Sequence, residues 1–238
     1  MRTVDYNRLG LRPGDLVLDL GCGEGRHAIT AHLDKAVDAV GVDLCLTDLK
    51  TTVEKYRPMA QHASEGASLA LSCANALQLP FADDTFDKII CSEVLEHIED
   101  WQGALAEIER VLKPGGAFCA SVPRSWPERI CWTFSREYHD YEGGHLRIFN
   151  ARELRRDIES FGFRYYHRHW AHALHAPFWW LKCLLWESRE SNVIIKLYHR
   201  LLVWDIVEQP WLTQTAEKLL NPLMGKSLVM YFRKEGPA

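Results

Sequence analysis

The chain has 238 residues, 47% of them hydrophobic and 25% charged, which suits one sizeable α/β globular domain with additions. Its formal net charge of -4 argues against nucleic acid as a substrate, because a phosphate backbone demands a basic stripe and none stands out. Seven cysteines, scattered and never arranged as Cys-x-x-Cys, suggest neither a disulfide framework nor a zinc site.

Residues 1–11 are short and mixed, too short for an amino-terminal helical lid. The turn signal of Arg12, Pro13, Gly14 and Asp15 then opens an apolar run, Val17 to Leu20, that reads as a buried parallel strand carrying Asp19. The run breaks into Gly21, Cys22, Gly23, Glu24 and Gly25 before a helix predicted over 26–33. Glycines there let the backbone turn sharply and approach a ligand. Their spacing is Gly-x-Gly-x-Gly, and Arg26 stands where a pyrophosphate-binding turn would place its third glycine. With Glu24 crowding the helix start, the turn suits a nucleoside without phosphates. The next strand, 37–44, ends in Asp43 and Leu44, and an acidic residue about 20 positions beyond the glycines is placed to accept the ribose hydroxyls. The competing reading of Asp43 is a helix N-cap, a role Thr47 or Asp48 could take instead.

A helix over 46–59, a polar connection over 61–66 and a strand over 68–73 follow, then a turn over 79–84 and a fourth strand over 86–91. Residues 92–100 begin with Ser92, just past the carboxyl end of that strand, where open α/β sheets place their ligands. Glu93, Glu96 and His97 would share one face of a helical turn, able to bind a divalent metal or hold a base. Two carboxylates and one imidazole are an incomplete metal site, so no metal is expected. A helix over 101–112 ends at Lys113, Pro114, Gly115 and Gly116, and a fifth strand covers 117–122.

Residues 123–150 read as a long loop rich in aromatic side chains, including Trp126, Tyr138 and Tyr141, and closing on His145 and Arg147. A helix over 151–160 leads to a sixth strand over 163–170, and alternation over 227–233 gives a seventh. Between them lie about 55 residues, far more than a hairpin loop, with helical patterns over 176–186, 194–207 and 212–220. The expected organisation is therefore one domain of residues 1–170 plus 227–238, with a helical cap at 171–226.

Several stretches, taken together, resemble the class I S-adenosylmethionine-dependent methyltransferases of the type 11 group. They are residues 17–25 (Val-Leu-Asp-Leu-Gly-Cys-Gly-Glu-Gly), 41–44 (Gly-Val-Asp-Leu), 74–81 (Ala-Asn-Ala-Leu-Gln-Leu-Pro-Phe), 86–97 (Phe-Asp-Lys-Ile-Ile-Cys-Ser-Glu-Val-Leu-Glu-His) and 112–116 (Leu-Lys-Pro-Gly-Gly). The resemblance spans roughly residues 14–165. It implies a doubly wound, seven-stranded Rossmann-like sheet with five or six parallel strands and the last antiparallel. It implies S-adenosyl-L-methionine as cofactor, its methionine part on the glycine turn, its ribose on Asp43 and its adenine on residues 74–76. The family usually has Asp where this chain has Asn75, which still offers a carbonyl acceptor. Asp19, Gly21, Cys22, Gly23, Gly25, Asp43, Leu44, Asn75, Ala76 and Ser92 are thus the expected cofactor residues.

A sulfonium methyl group is already activated, so transfer needs alignment and a dry pocket more than acid–base chemistry. A base matters only where the acceptor loses a proton, and His145 and His97 are the two candidates. Trp126, Tyr138, Tyr141, Arg147 and Trp179 are the expected acceptor contacts, although Trp179, Trp180, Leu184 and Trp186 fit the core of the cap better than a substrate wall.

The expected acceptor is a lipophilic or aromatic small molecule methylated on oxygen, with carbon methylation of a quinone-type acceptor as the alternative. A nicotinamide dehydrogenase or an inert cofactor-binding subunit would use the same frame. The apolar run 176–186 is too short to cross a bilayer, which leaves monotopic contact open. With no signal peptide, the expected compartment is cytoplasmic.

Overall fold

The computed structural model describes residues 2–140 and 144–236. Tyr141, one of the expected acceptor contacts, lies outside the described residues. A one-turn helix α1 (Tyr6–Leu9) precedes β1 (Leu16–Leu20), α2 (Arg26–Lys35), β2 (Asp38–Asp43), α3 (Leu46–Tyr56) and β3 (Leu69–Cys73). Then come β4 (Phe86–Ser92), α4 (Trp101–Val111), β5 (Leu112–Pro123), α5 (Ser125–Phe134), α6 (Arg136–His139), α7 (Ala151–Ser160) and β6 (Phe163–Ala171). Helices α8 (His175–Leu184), α9 (Val193–Glu208) and α10 (Trp211–Met224) lead to β7 (Ser227–Lys234).

The seven strands form one sheet in the order β3-β2-β1-β4-β5-β7-β6. Pairing is parallel from β3 through β5, and β7 runs antiparallel to both β5 and β6, so six strands share one direction. The chain winds one way from β1 to β3 and the other way from β4 onward. The crevice beyond the carboxyl ends of β1 and β4 is therefore the topological switch point, where such sheets bind ligands. The strands alternate as the sheet requires. Leu18, Leu20, Ile89, Cys91 and Phe118 pack under α4 and α7, whereas Val17, Ile90, Cys119 and Tyr231 join the core with Tyr6, Leu9 and Ala31.

Three sequence expectations need correction. Residues 123–150 are not one long loop: 125–134 and 136–139 are helical, the second turn capped by the Ser135 hydroxyl accepting from the Tyr138 amide. The amphipathic spacing of Cys131, Pro127 and Glu128, all buried on one side, was hidden by the aromatic composition. Gly115 does not end α4, which stops at Val111; its φ of +76° lies in an irregularity at the start of β5. Third, 92–100 is not a helical face. Glu93 is left-handed at φ +60° and only Leu95–His97 form a 3-10 turn, which sends Glu96 inward and His97 outward.

Candidate functional site

The loops after β1, β2, β3 and β4 and the segment before α7 enclose a cavity of about 1050 Å³. One wall is built by the glycine turn. The Gly21 and Cys22 amides both donate to the Val42 carbonyl, at 2.7 and 3.0 Å, which ties the turn to the end of β2. Gly21 has a φ of +69° and an added Cβ would overlap the Val94 side chain, so only glycine lets the β1 turn pack on the β4 loop. Gly23, at φ +51°, has open space where a Cβ would stand and lines the cavity.

Asp43 braces this turn as well as facing the cavity. Its Oδ2 accepts the Gly23 amide at 2.7 Å and its Oδ1 the Cys45 amide at 2.8 Å. The N-cap position of α3 is Cys45, not Asp43, Thr47 or Asp48. Leu44, Asn75, Ala76 and Leu77 continue the wall, and the Asn75 Oδ1 accepts the Leu77 amide at 3.0 Å, fixing its own turn.

The opposite wall carries titratable groups. His145 and His97 both line the cavity with ring centroids 5.0 Å apart. The Nδ1 of His145 meets the Glu128 Oε1 at 2.6 Å, and Glu128, on α5, is 1% exposed. Burial would raise the Glu128 carboxyl, but the hydrogen bond and charge of His145 outweigh it and hold the group below its ordinary value. The Nδ1 of His97 donates to the Gly144 carbonyl at 3.1 Å, leaving Nε2 4.0 Å from the Glu96 Oε1. Glu96 is fully buried, and among the described residues neither of its carboxyl oxygens has a hydrogen-bond partner. Burial first, and then the neighbouring Glu93 charge, push its pKa well above the ordinary carboxylate value. Glu96, His97 and His145 each bring one ligand atom within 4.8 Å of the others. One carboxylate and two imidazoles could hold a divalent cation, a set different from the expected face of Glu93, Glu96 and His97.

Residues 18–120, which contain the glycine turn, Asp43 and the 93–97 loop, match the family model described as a methyltransferase domain. The match covers less than half of the chain and identifies residues 18–120 as similar to a methyltransferase domain. An O-methyltransferase, resE, from Aspergillus sclerotiorum is 35% identical over 108 residues, 45% of this chain and 39% of that protein. A demethylmenaquinone methyltransferase from Corynebacterium urealyticum is 38% identical over 116 residues, 48% of this chain and 44% of that protein. The chain thus spans less than half the length of these curated relatives. The crystal structure of a SAM-dependent methyltransferase from Methanosarcina mazei shares the fold over 100% of both chains, with a TM-score of 0.67 and 15% identity.

The expected cofactor residues divide into two sets. Gly21, Gly23, Asp43, Leu44, Asn75 and Ala76 line the cavity. The others stand behind that wall. Asp19 is buried, with its Oδ2 accepting the Ala28 amide at 2.8 Å, and burial pushes its carboxyl up to about 7 against that bond. Cys22 is buried, Gly25 packs on Thr52, and Ser92 shares a 2.9 Å hydroxyl contact with Ser121. A nucleoside-bearing cofactor fits the wall, since the open face of Gly23 and the carboxylate of Asp43 adjoin on one side of the cavity.

Among the described residues, none of the expected acceptor contacts lines the cavity. Arg147 instead donates to the backbone carbonyls of Leu95, Ile98 and Glu99, so its charge fastens the 93–99 loop to the segment before α7. Trp126 packs against Trp180, whose Nε1 donates to the Pro127 carbonyl at 3.0 Å. Trp179 lies between Phe178 and Tyr138, and Tyr138 meets the edge of His145 at 6.3 Å. The aromatic residues of α8 thus join it to α5, and α8 and α9 share a core around Phe178, Ile195 and Leu202, rather than walling the cavity. Glu128 escaped the sequence reading because nothing in its spacing links it to His145, 17 residues away.

Proposed function

We propose that the protein is an S-adenosylmethionine-dependent methyltransferase that methylates a lipophilic or aromatic small molecule on oxygen. The observation that carries this reading is the buried Glu128 carboxylate at the Nδ1 of His145, which lines the same cavity as the glycine turn. With Nδ1 donating to Glu128, His145 presents Nε2 as the acceptor nitrogen, the form in which it can take a hydroxyl proton. When bound, the cofactor supplies an activated sulfonium methyl group. The residues supply the rest. Asp43 accepts the ribose hydroxyls, and Gly23 lets the methionine part approach the backbone. Leu20, Val42, Leu77, Val94, Ile98 and Leu146 give the cavity apolar walls suited to a nonpolar acceptor. An acceptor hydroxyl placed toward His145 would give its proton to Nε2 while its oxygen takes the methyl group from the sulfonium, the sulfur–methyl bond breaking and its electron pair staying on the neutral thioether that leaves.

Carbon methylation of a quinone-type acceptor is the second reading, favoured by the similarity to a demethylmenaquinone methyltransferase and by the same apolar walls. A transfer assay across phenols, lipid alcohols, quinones and amines separates the two. Oxygen-methylated phenol or alcohol products, lost in His145→Ala, support the first. Turnover of quinones alone supports the second, and turnover confined to polar amines overturns both.

A further inference from the structure

The cap carries a surface that the cavity does not use. Helix α9 buries only Ile195, Tyr198, Leu202 and Asp205 wholly or in part, a single face repeating at intervals of three and four. The rest of the helix is exposed, and its outward arc is apolar: Leu197, Leu201, Trp204 at 47% exposure and Val207. Helix α10 buries no residue fully and exposes Trp211, at 76%, with Leu212, Leu219 and Leu223. Two successive helices with this much exposed apolar side chain exceed the scattered hydrophobic residues normal on a monomer.

The charges within this surface indicate what covers it. Lys196, Arg200 and Lys218 are exposed on α9 and α10, against one exposed carboxylate, Glu208, although the whole chain carries -4. Lys196 and Arg200, one turn apart, sit inside the apolar arc of α9. Among the described residues neither makes an ion pair. In a dry interface with a second copy of the chain, two cations per copy would face one Glu208, leaving a cation buried without a partner. At a bilayer surface the same side chains lay their stems on the apolar face and carry their charges to the lipid phosphates. Exposed tryptophans such as Trp204 and Trp211 suit the same depth. No helix among the described residues is long and apolar enough to cross a membrane, so this contact lies in the interface.

We propose that the outward face of α9, together with the exposed stripe of α10, is a monotopic docking surface for an anionic lipid bilayer. The proposal stands apart from the methyl-transfer reading. Its test is sedimentation of the full chain with phosphatidylcholine vesicles, with and without phosphatidylglycerol, alongside light scattering without lipid.

The expected result is a monomer that pellets with anionic vesicles and much less with phosphatidylcholine alone. Leu197→Ser with Trp204→Ser should abolish pelleting while leaving the circular dichroism unchanged. Lys196→Gln with Arg200→Gln keeps the apolar face and should weaken binding to anionic vesicles about 25-fold, from roughly fivefold for each cation. Failure to pellet with anionic vesicles overturns the proposal. So does pelleting that neither double variant changes, or a dimer that Trp204→Ser splits, which would assign the face to a second copy.

Discussion

Replacing Asp43 by alanine separates two roles that the structure gives one carboxylate. Its oxygens accept the Gly23 and Cys45 amides at 2.7 and 2.8 Å, so the loss reaches the fold as well as the ligand. A hydrogen bond to a charged group contributes about 1.5 to 3 kcal/mol. Asp43 is half-buried and water can reach the freed amides, so the stability loss should be about 1 to 2 kcal/mol, or roughly 2 to 8 °C in Tm for a chain of this size. The ribose contacts are a separate loss, about 1.5 to 3 kcal/mol of S-adenosylmethionine affinity, or roughly a tenfold to hundredfold rise in Kd. Asp43→Asn keeps one acceptor oxygen and should fall between wild type and Asp43→Ala on both scales. Differential scanning calorimetry reads the first effect and titration calorimetry the second. An Asp43→Ala protein with wild-type Tm would show that the carboxylate does not hold the turn. Unchanged affinity would remove it from the cofactor site.

The two turn glycines should respond differently. Gly21→Ala, forced to φ +69° and onto Val94, should cost about 2 to 4 kcal/mol in denaturant unfolding, while Gly23→Ala should cost about 1 kcal/mol but lose most cofactor affinity. Equal stability of the two variants would contradict the packing described. Asp19, its pKa raised to about 7 by burial, binds a proton in the native state that the unfolded chain has lost, so its contribution to stability falls as pH rises from about 4 to 7 and is flat above. The fall amounts to at most about 4 kcal/mol. Asp19→Asn should therefore gain Tm over wild type at pH 8 and converge with it at pH 4; a difference independent of pH would refute the assignment. Glu128→Gln should lower kcat about tenfold to a hundredfold while leaving the Kd for S-adenosylmethionine within about twofold, measured by steady-state kinetics and calorimetry. A rise in that Kd with kcat unchanged would move Glu128 out of the acceptor site.

The glycine-turn wall of the cavity was legible because its physics is local. A glycine turn and an acidic residue at the next strand end place Gly21, Gly23 and Asp43 within short windows, whereas the strand order was what the family resemblance implied. The same windows misled where the tertiary context decides. Glu93, Glu96 and His97 have helical spacing, yet with Glu93 left-handed only Leu95–His97 form a 3-10 turn, and Glu96 is buried while Glu93 and His97 line the cavity. Arg147 looked like a ligand contact because it is charged and near His145, but its guanidinium donates to three loop carbonyls. Trp126, Trp179 and Trp180 have the composition of a pocket wall, and only the packing of α8 on α5 shows that they join two helices. The Glu128 to His145 contact depends on α5, which the aromatic composition of 123–150 disguised.

The most direct measurement is transfer of an isotope-labelled methyl group from S-adenosylmethionine to a panel of phenols, lipid alcohols, quinones, amines and nucleic acids, comparing the wild-type chain with His145→Ala and Asp43→Ala. The account predicts label on the oxygen of an apolar phenol or alcohol, with turnover lost in His145→Ala although cofactor binding persists, and cofactor binding weakened in Asp43→Ala. Cofactor bound tightly with no labelled product from any acceptor would contradict it, and so would label confined to amines or nucleic acid.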